Sequence, residues 1–195
     1  MREYTVFSGS YRGIGWSGHR IKASDSMKEI SRRNYDWTHY IHVCLDQLPV
    51  ERREELWLPA EVKERSVSGR KYITYDYYKG VVGDIEFHGG CTFYEKKGGL
   101  DNAPRWVKIG CDYQHIWDDG YYYNETDVER EAKESIDSLH SLIPNIGVHC
   151  WHGYCGKEYH LESEGLYMND KSSFLCLFCE DKRQKEVAER EKVAK

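Results

Sequence analysis

No segment of this 195-residue chain is both long and apolar enough to cross a bilayer, and its first residues, M-R-E-Y-T-V-F-S-G-S, hold no apolar run of the signal-peptide kind. These absences predict a protein that makes no use of the membrane. Excess positive charge is also lacking: 28 Lys and Arg stand against 33 Asp and Glu, for a formal net charge of −5. Affinity for a phosphate backbone comes from cationic side chains displacing counterions, so nonspecific nucleic-acid binding is not expected. The basic pairs Arg32-Arg33, Arg52-Arg53, Arg70-Lys71 and Lys96-Lys97 are scattered among acids and read as solvated faces. An even complement of cysteines is missing too. There are seven, and Cys44, Cys91 and Cys111 sit in strand-like apolar contexts where a reduced thiol behaves as a small hydrophobe; a reducing, cytoplasmic compartment is the expectation.

Aromatic side chains are abundant, with sixteen Tyr, six Trp and five Phe. A single domain of this length buries roughly 70% of its unfolded surface. Its core should therefore be rich in rings, with hydroxyls at its edges.

Hydrophobic periodicity gives an α+β fold. A short strand near Tyr4 to Phe7 leads into a flexible Gly-rich turn, S-G-S-Y-R-G-I-G-W-S-G, and a helix begins near Ser24 or Asp25 with Ser26 and Glu29 as a capping box. Residues 40–45 read as a strand, and Pro49 opens a helix that runs to about Leu58. Alternation in K-Y-I-T-Y-D-Y-Y, D-I-E-F, C-T-F-Y-E and R-W-V-K-I-G-C-D predicts an antiparallel meander from Arg70 to Asp112. Thr126 and Glu129 form a second capping box. The helix they start runs to about Ile143, and Val128, Ala132, Ile136, Leu139 and Ile143 make one apolar stripe. The expected architecture is an antiparallel sheet packed against a long amphipathic helix, with a small C-terminal zinc-knuckle appendage. Residues 1–145 form the α+β domain, 146–180 the zinc-binding appendage and 181–195 a charged helical tail with i,i+4 ion pairs.

Two constellations carry chemistry. In the first, His152-x2-Cys155 is followed by Cys176-x2-Cys179. Zn²⁺ takes four thiolate or imidazole ligands in a tetrahedron, and an x2 spacing folds the backbone so that two ligands reach one ion. Cys150 competes with His152 for the fourth position. An ion with four protein ligands is closed to substrate and would hold residues 149–180 together in place of a core too small to stand alone.

The second constellation is D-I-E-F-H-G-G-C-T-F-Y read with W-V-K-I-G-C-D-Y-Q-H. His88, Thr92, Asp112 and His115 are polar groups at the ends of apolar runs and are the catalytic candidates. One imidazole would act as base with Asp112 fixing its tautomer, or His88, Asp112 and His115 would hold a second divalent metal. Thr92 would contact substrate. Gly89 and Gly90 would let a ligand approach the backbone, Lys108 is the cation within the two motifs, and Asp118 follows in a loop.

The pattern H-G-G-C-T-F, then Trp106 ahead of G-C-D-Y-Q-H, then the capped helix, resembles a set of small phage and prophage proteins of unassigned activity. Those proteins carry H-G-G-x-T-[YF], then W-x-x-G-x-D-x-x-H, and then a helix. The resemblance covers about residues 72–140 and supports His88, Gly89, Gly90, Thr92, Gly110, Asp112 and His115 as a site without supplying a mechanism. Cys91, Cys111 and Tyr113-Gln114 depart from the usual pattern in the pocket lining, and the cysteine-rich tail lies outside it.

A phage origin implies an anti-defence role in the host cytoplasm. The leading expectation is a candidate hydrolase acting on a phosphate-containing small molecule, such as a host signalling nucleotide. Its rivals are a nucleotide-sequestering protein without catalysis, and an antagonist of a host protein partner that uses the zinc segment as its contact surface.

Overall fold

In the computed structural model, residues 4–23, 35–57, 62–67, 70–75, 80–98, 105–113, 123–151 and 155–193 are described. The helix expected near residue 25 falls outside them.

The Gly-rich stretch at the start is a hairpin. Strand β1 (Tyr4–Tyr11) pairs antiparallel with β2 (Ile14–Lys22), and the turn between them is only Arg12-Gly13. Both turn residues have positive φ, 45° and 77°, as a two-residue hairpin needs to match the strand twist. The expected flexible turn is thus two strands. Ser8, Gly9 and Ser10 are exposed strand residues while Ser17 and Gly18 are buried, and that composition masked the alternation.

Strand β3 (Tyr35–Cys44) joins β2, starting earlier than the sequence suggested. Helical turns follow: a 3-10 turn at Val50–Arg52 after Pro49, then α1 (Arg53–Trp57). Strands β4 (Val62–Val67) and β5 (Arg70–Tyr75) form a two-stranded sheet of their own. Next comes the short helix α2 (Val81–Asp84), then β6 (Phe93–Lys97) and β7 (Trp106–Asp112). The main sheet has five strands in the order β1-β2-β3-β7-β6, with every pair antiparallel. The meander expected from 70 to 112 therefore keeps only its last pair. Alternation in D-I-E-F was real, since Ile85 and Phe87 are buried, but they follow a helical turn and belong to no strand.

Helix α3 (Glu125–Leu142) lies over β2 and β3. Its 18 residues span about 27 Å. The cap differs from the expected one: Asn124 accepts hydrogen bonds from the Thr126 and Asp127 amides, and Asp127 accepts one from the Asn124 amide. The capping box is Asn124/Asp127, two residues ahead of the expected Thr126/Glu129, because Asn is at least as good a cap as Thr and is placed first. Val128, Ala132, Ile136 and Leu139 face Trp37, Ile41 and Val43 of β3 and Val107 and Ile109 of β7 in one core. Ile41, Ile109, Ile136 and Leu139 are wholly buried, each stabilising by about 1.5–3 kcal/mol.

A second, smaller apolar cluster follows: Val148, Cys150, Phe174, Leu175, Cys176 and Cys179. It is built on the hairpin of β8 (Gly165–Met168) and β9 (Ser173–Cys176), with α4 (Leu177–Val193) running directly out of β9. Single bridges Val148–His160 and Cys150–Phe174 tie the preceding segment to it. The charged end of α4 carries the expected Asp181–Lys185 pair at 2.6 Å. No helix among the described residues is long and apolar enough to cross a membrane.

Candidate functional site

The four sulfurs of Cys150, Cys155, Cys176 and Cys179 all lie within 4.8 Å of one another. Ligands at a zinc–sulfur distance of about 2.3 Å in a tetrahedron stand roughly 3.8 Å apart, so a cation fits after a small contraction. Local structure explains the convergence. Trp151, next to Cys150, donates its amide to the Phe174 carbonyl at 2.7 Å and so fixes Cys150 beside β9. Cys176 is the last residue of β9, and Cys179 sits in the first turn of α4, where the free amides and helix dipole favour a thiolate. The Cys176 amide donates to the Cys150 sulfur at 3.5 Å, and His160 Nε2 lies 3.1 Å from the Cys155 sulfur. Without a cation, burial and the neighbouring thiols push Cys179 up to about 12. A divalent ion reverses that tendency by stabilising the thiolates. Cys150 supplies the fourth sulfur; His152 lies outside the described residues.

A second polar cluster, partly buried at His88 and Glu131 and wholly buried at His39, lies between the sheet and α3. His88 stacks on Tyr113, with centroids 4.6 Å apart, and its Nδ1 lies 3.4 Å from Glu131 Oε2. The Tyr123 hydroxyl is 3.3 Å from the His88 ring nitrogens. Deeper in, the Tyr113 hydroxyl lies 2.8 Å from His39 Nδ1, and His39 Nε2 lies 3.2 Å from Ser135 Oγ. Ser135 sits 2.7 Å from the Glu86 carbonyl.

Proton counting orders this chain. A hydroxyl 2.7 Å from a carbonyl must donate to it, so Ser135 accepts from His39 Nε2–H. His39 Nδ1 then accepts from the Tyr113 hydroxyl. With that proton committed to His39, Tyr113 meets Glu131 as an acceptor when Glu131 is neutral, whereas an ionised Glu131 competes with His39 for the same proton. Burial raises Glu131 above the ordinary carboxylate range, against the pull of Tyr113, His88 and Arg130; it also raises the Cys111 thiol beside His39 and holds His39 down to about 3.

Next to this cluster, a cleft of about 380 Å³ opens at the start of α3, bounded by Arg20, Tyr35, Trp37, Tyr123 and residues 124–126. The Arg20 guanidinium lies 4.9 Å from the Tyr35 ring centre and 5.8 Å from that of Trp37, a cation–π arrangement. Its remaining contacts are long: Glu125 at 3.5 Å and Thr5 at 3.4 Å. Arg20 Nε is buried with no hydrogen-bond acceptor among the described residues.

The residues singled out by sequence divide between the two faces of the sheet. His88 joins the buried cluster on the α3 side. Asp112 pairs with Thr38 across β3, while its neighbours Cys111 and Tyr113 point at His39. Strand alternation therefore sends Asp112 to the opposite face, and His88 and Asp112 are not a ligand pair. Thr92 is used structurally: its hydroxyl accepts from the Asp112 amide at 3.0 Å. Lys108 also faces away from α3, its ammonium 3.8 Å from the Tyr40 ring centre. Gly89 and Gly90, with φ of 66° and 96°, turn the chain from Phe87 back toward β6; the Gly90 amide donates to the Phe87 carbonyl at 2.9 Å. His115 and Asp118 lie outside the described residues.

Sequence reasoning missed Glu131, Tyr113, His39 and Arg20. One signal was present for two members of the network, since Glu131 and Ser135 interrupt the otherwise apolar stripe of the helix. Comparison with protein families, with curated proteins and with solved structures gives no match, so the functional reading rests on this chain's own residues.

Proposed function

We propose that the protein binds a phosphate-containing, ring-bearing small molecule of the nucleotide class in the Arg20 cleft, and that its C-terminal unit is held by structural zinc. The observation carrying the ligand reading is Arg20. It is pre-oriented on two aromatic rings, with a buried donor left over, in a cleft large enough for a nucleoside monophosphate. A guanidinium so placed suits phosphate oxygens, while Tyr35, Trp37 and Tyr123 offer ring faces to a base. For the metal, four thiolates favour Zn²⁺ over hard, oxygen-seeking cations and leave no open position for catalysis.

A second reading, hydrolysis of that ligand, is favoured by one contact. Tyr123 lines the cleft and also touches His88. His88 would take a proton from water as it attacks phosphorus, and the departing oxygen would be protonated in turn, with Glu131 as the nearby proton store. The resemblance to phage proteins makes host signalling nucleotides the compounds to try first.

Calorimetric titration with nucleoside monophosphates, cyclic dinucleotides and NAD-derived nucleotides tests the binding reading. Arg20→Ala should weaken binding at least tenfold, and Arg20→Lys should not restore it, because a lysine lacks the planar fork. If no compound binds, or Arg20→Ala binds as well as the parent, the reading fails. Chromatography of the same mixtures separates holding from cleaving: turnover that disappears in His88→Ala supports hydrolysis. Metal analysis should give one zinc per chain.

A further inference from the structure

We propose that the outer edge of β1 takes up an extended, lysine- or arginine-bearing peptide as a sixth strand of the main sheet. β1 is the terminal strand of the order β1-β2-β3-β7-β6, and among the described residues it pairs with β2 alone. Proteins guard such edges with charges, prolines or bulges, because a row of free amides and carbonyls is a template for another strand. This edge, Y-T-V-F-S-G-S-Y, carries none of these guards over eight residues. Tyr4 and Val6 are 53% and 52% exposed, and Ser8, Gly9 and Ser10 are exposed in succession. A strand covered on one face shows alternating exposure. Three exposed residues in a row mean that the rim itself meets solvent.

A groove of about 480 Å³ runs beside this rim on the α3 side. Phe7 to Ser10 form its floor, and Glu125, Glu129 and Lys133 of α3, with Asp170 of the β8–β9 turn, form its wall. Alternate side chains of an added strand would point into it. The wall holds three carboxylates against one ammonium. That ammonium is already engaged, by Glu129 at 3.2 Å and by Asp170. Glu125 also meets Arg20 at 3.5 Å, which leaves one net negative charge, and that charge calls for a cationic side chain. The same charge argues against a second copy: two-fold pairing of β1 with itself would set two acidic helix faces against each other, in a chain of net charge −5.

The test uses two fluorescein-labelled peptides of eight residues, one alternating Lys and the other alternating Glu with Val and Thr, with binding followed by anisotropy. The Lys peptide should bind at least tenfold tighter than the Glu peptide, and added salt should weaken it. Glu129→Lys, whose fold circular dichroism must confirm because it also breaks the Lys133 pair, should lower affinity for the Lys peptide at least fivefold. Ser8→Pro should abolish binding, with near-UV circular dichroism confirming its fold. Equal affinity for the two peptides, or no effect of Glu129→Lys, overturns the proposal. So does a concentration-dependent dimer in sedimentation that Ser8→Pro abolishes, since the edge would then belong to a second copy.

Discussion

The sheet-and-helix body and the four-cysteine unit solve the same problem by different means. The body closes a continuous core around Ile41, Ile109, Ile136 and Leu139, all wholly buried, with the rings of Trp16, Trp37 and Tyr113 filling it. The unit has only six buried core residues, and three of these are the proposed ligands Cys150, Cys176 and Cys179. Apolar burial alone cannot hold so few residues against chain entropy. On the proposed zinc reading, folding and metal binding would be one event in the unit and separate in the body.

Chelation is the sharpest way to break that contrast. Removing zinc, or replacing Cys176 by Ser, should withdraw on the order of 10 kcal/mol from the unit while the body stays folded. Hydrogen exchange checks it: amides of Val148, Cys150 and Phe174 should lose protection, and those of Ile41 and Ile109 should keep it. Loss of protection in both regions together would show that the body depends on the metal as well. The complementary substitution is Ile109→Ala, which should cost about 2–5 kcal/mol in the body and leave one metal per chain below its melting transition. Metal loss in step with that destabilisation would make the two regions a single cooperative unit.

How far each region was legible follows from how local its determinants are. Cys176 and Cys179 were readable because a C-x2-C spacing is a statement about adjacent backbone, and Cys155 because it stands close behind two candidate ligands, His152 and Cys150. Cys150 needed the structure, which places its sulfur among the other three. The stripe of α3 was readable for the same local reason. The His88 cluster was only half readable. Its members come from β3, the segment before β6, the end of β7 and α3, and nothing in the sequence sets the register that places His39 opposite Cys111. A one-residue shift of that register would exchange Asp112 for Cys111 at the site. Asp112 therefore looked like a partner for His88 and turned out to face the other way.

Arg12 joins the two regions. From the β1–β2 turn it reaches Asp137 of α3 at 2.5 Å and Glu162 ahead of β8 at 2.8 Å, and Tyr167 donates to Glu162 at 2.6 Å. These groups are partly exposed, so Arg12→Ala should cost only about 1–2 kcal/mol after solvent screening. Its signature is in the pH dependence. Arg12, first, and the Tyr167 hydroxyl hold Glu162 down to about 2, below its unfolded value. A depressed carboxylate stabilises above the unfolded pKa and loses that contribution as pH falls through the folded one. The stability gap between parent and Arg12→Ala, measured by thermal unfolding, should be full above about pH 5 and close toward pH 2. A gap independent of pH would assign the loss to packing of the arginine stem.

The smallest effect tests the proton order in the buried chain. If Glu131 is a neutral donor to Tyr113, Glu131→Gln keeps a donor in place and should change stability at neutral pH by less than about 0.5 kcal/mol. If Glu131 is instead an ionised acceptor, Tyr113 cannot also donate to His39 Nδ1. The glutamine would then disturb the whole run from Tyr113 to Ser135, and a loss above about 1.5 kcal/mol should appear in denaturant unfolding. The raised Glu131 gives the parent a further sign. A carboxyl held protonated by burial stabilises the fold at low pH and loses that contribution as pH rises through its folded value. Glu131→Gln should flatten that limb of the stability profile and leave the low-pH limb set by Glu162 unchanged, which separates a proton held inside the body from one held at its junction with the cysteine unit.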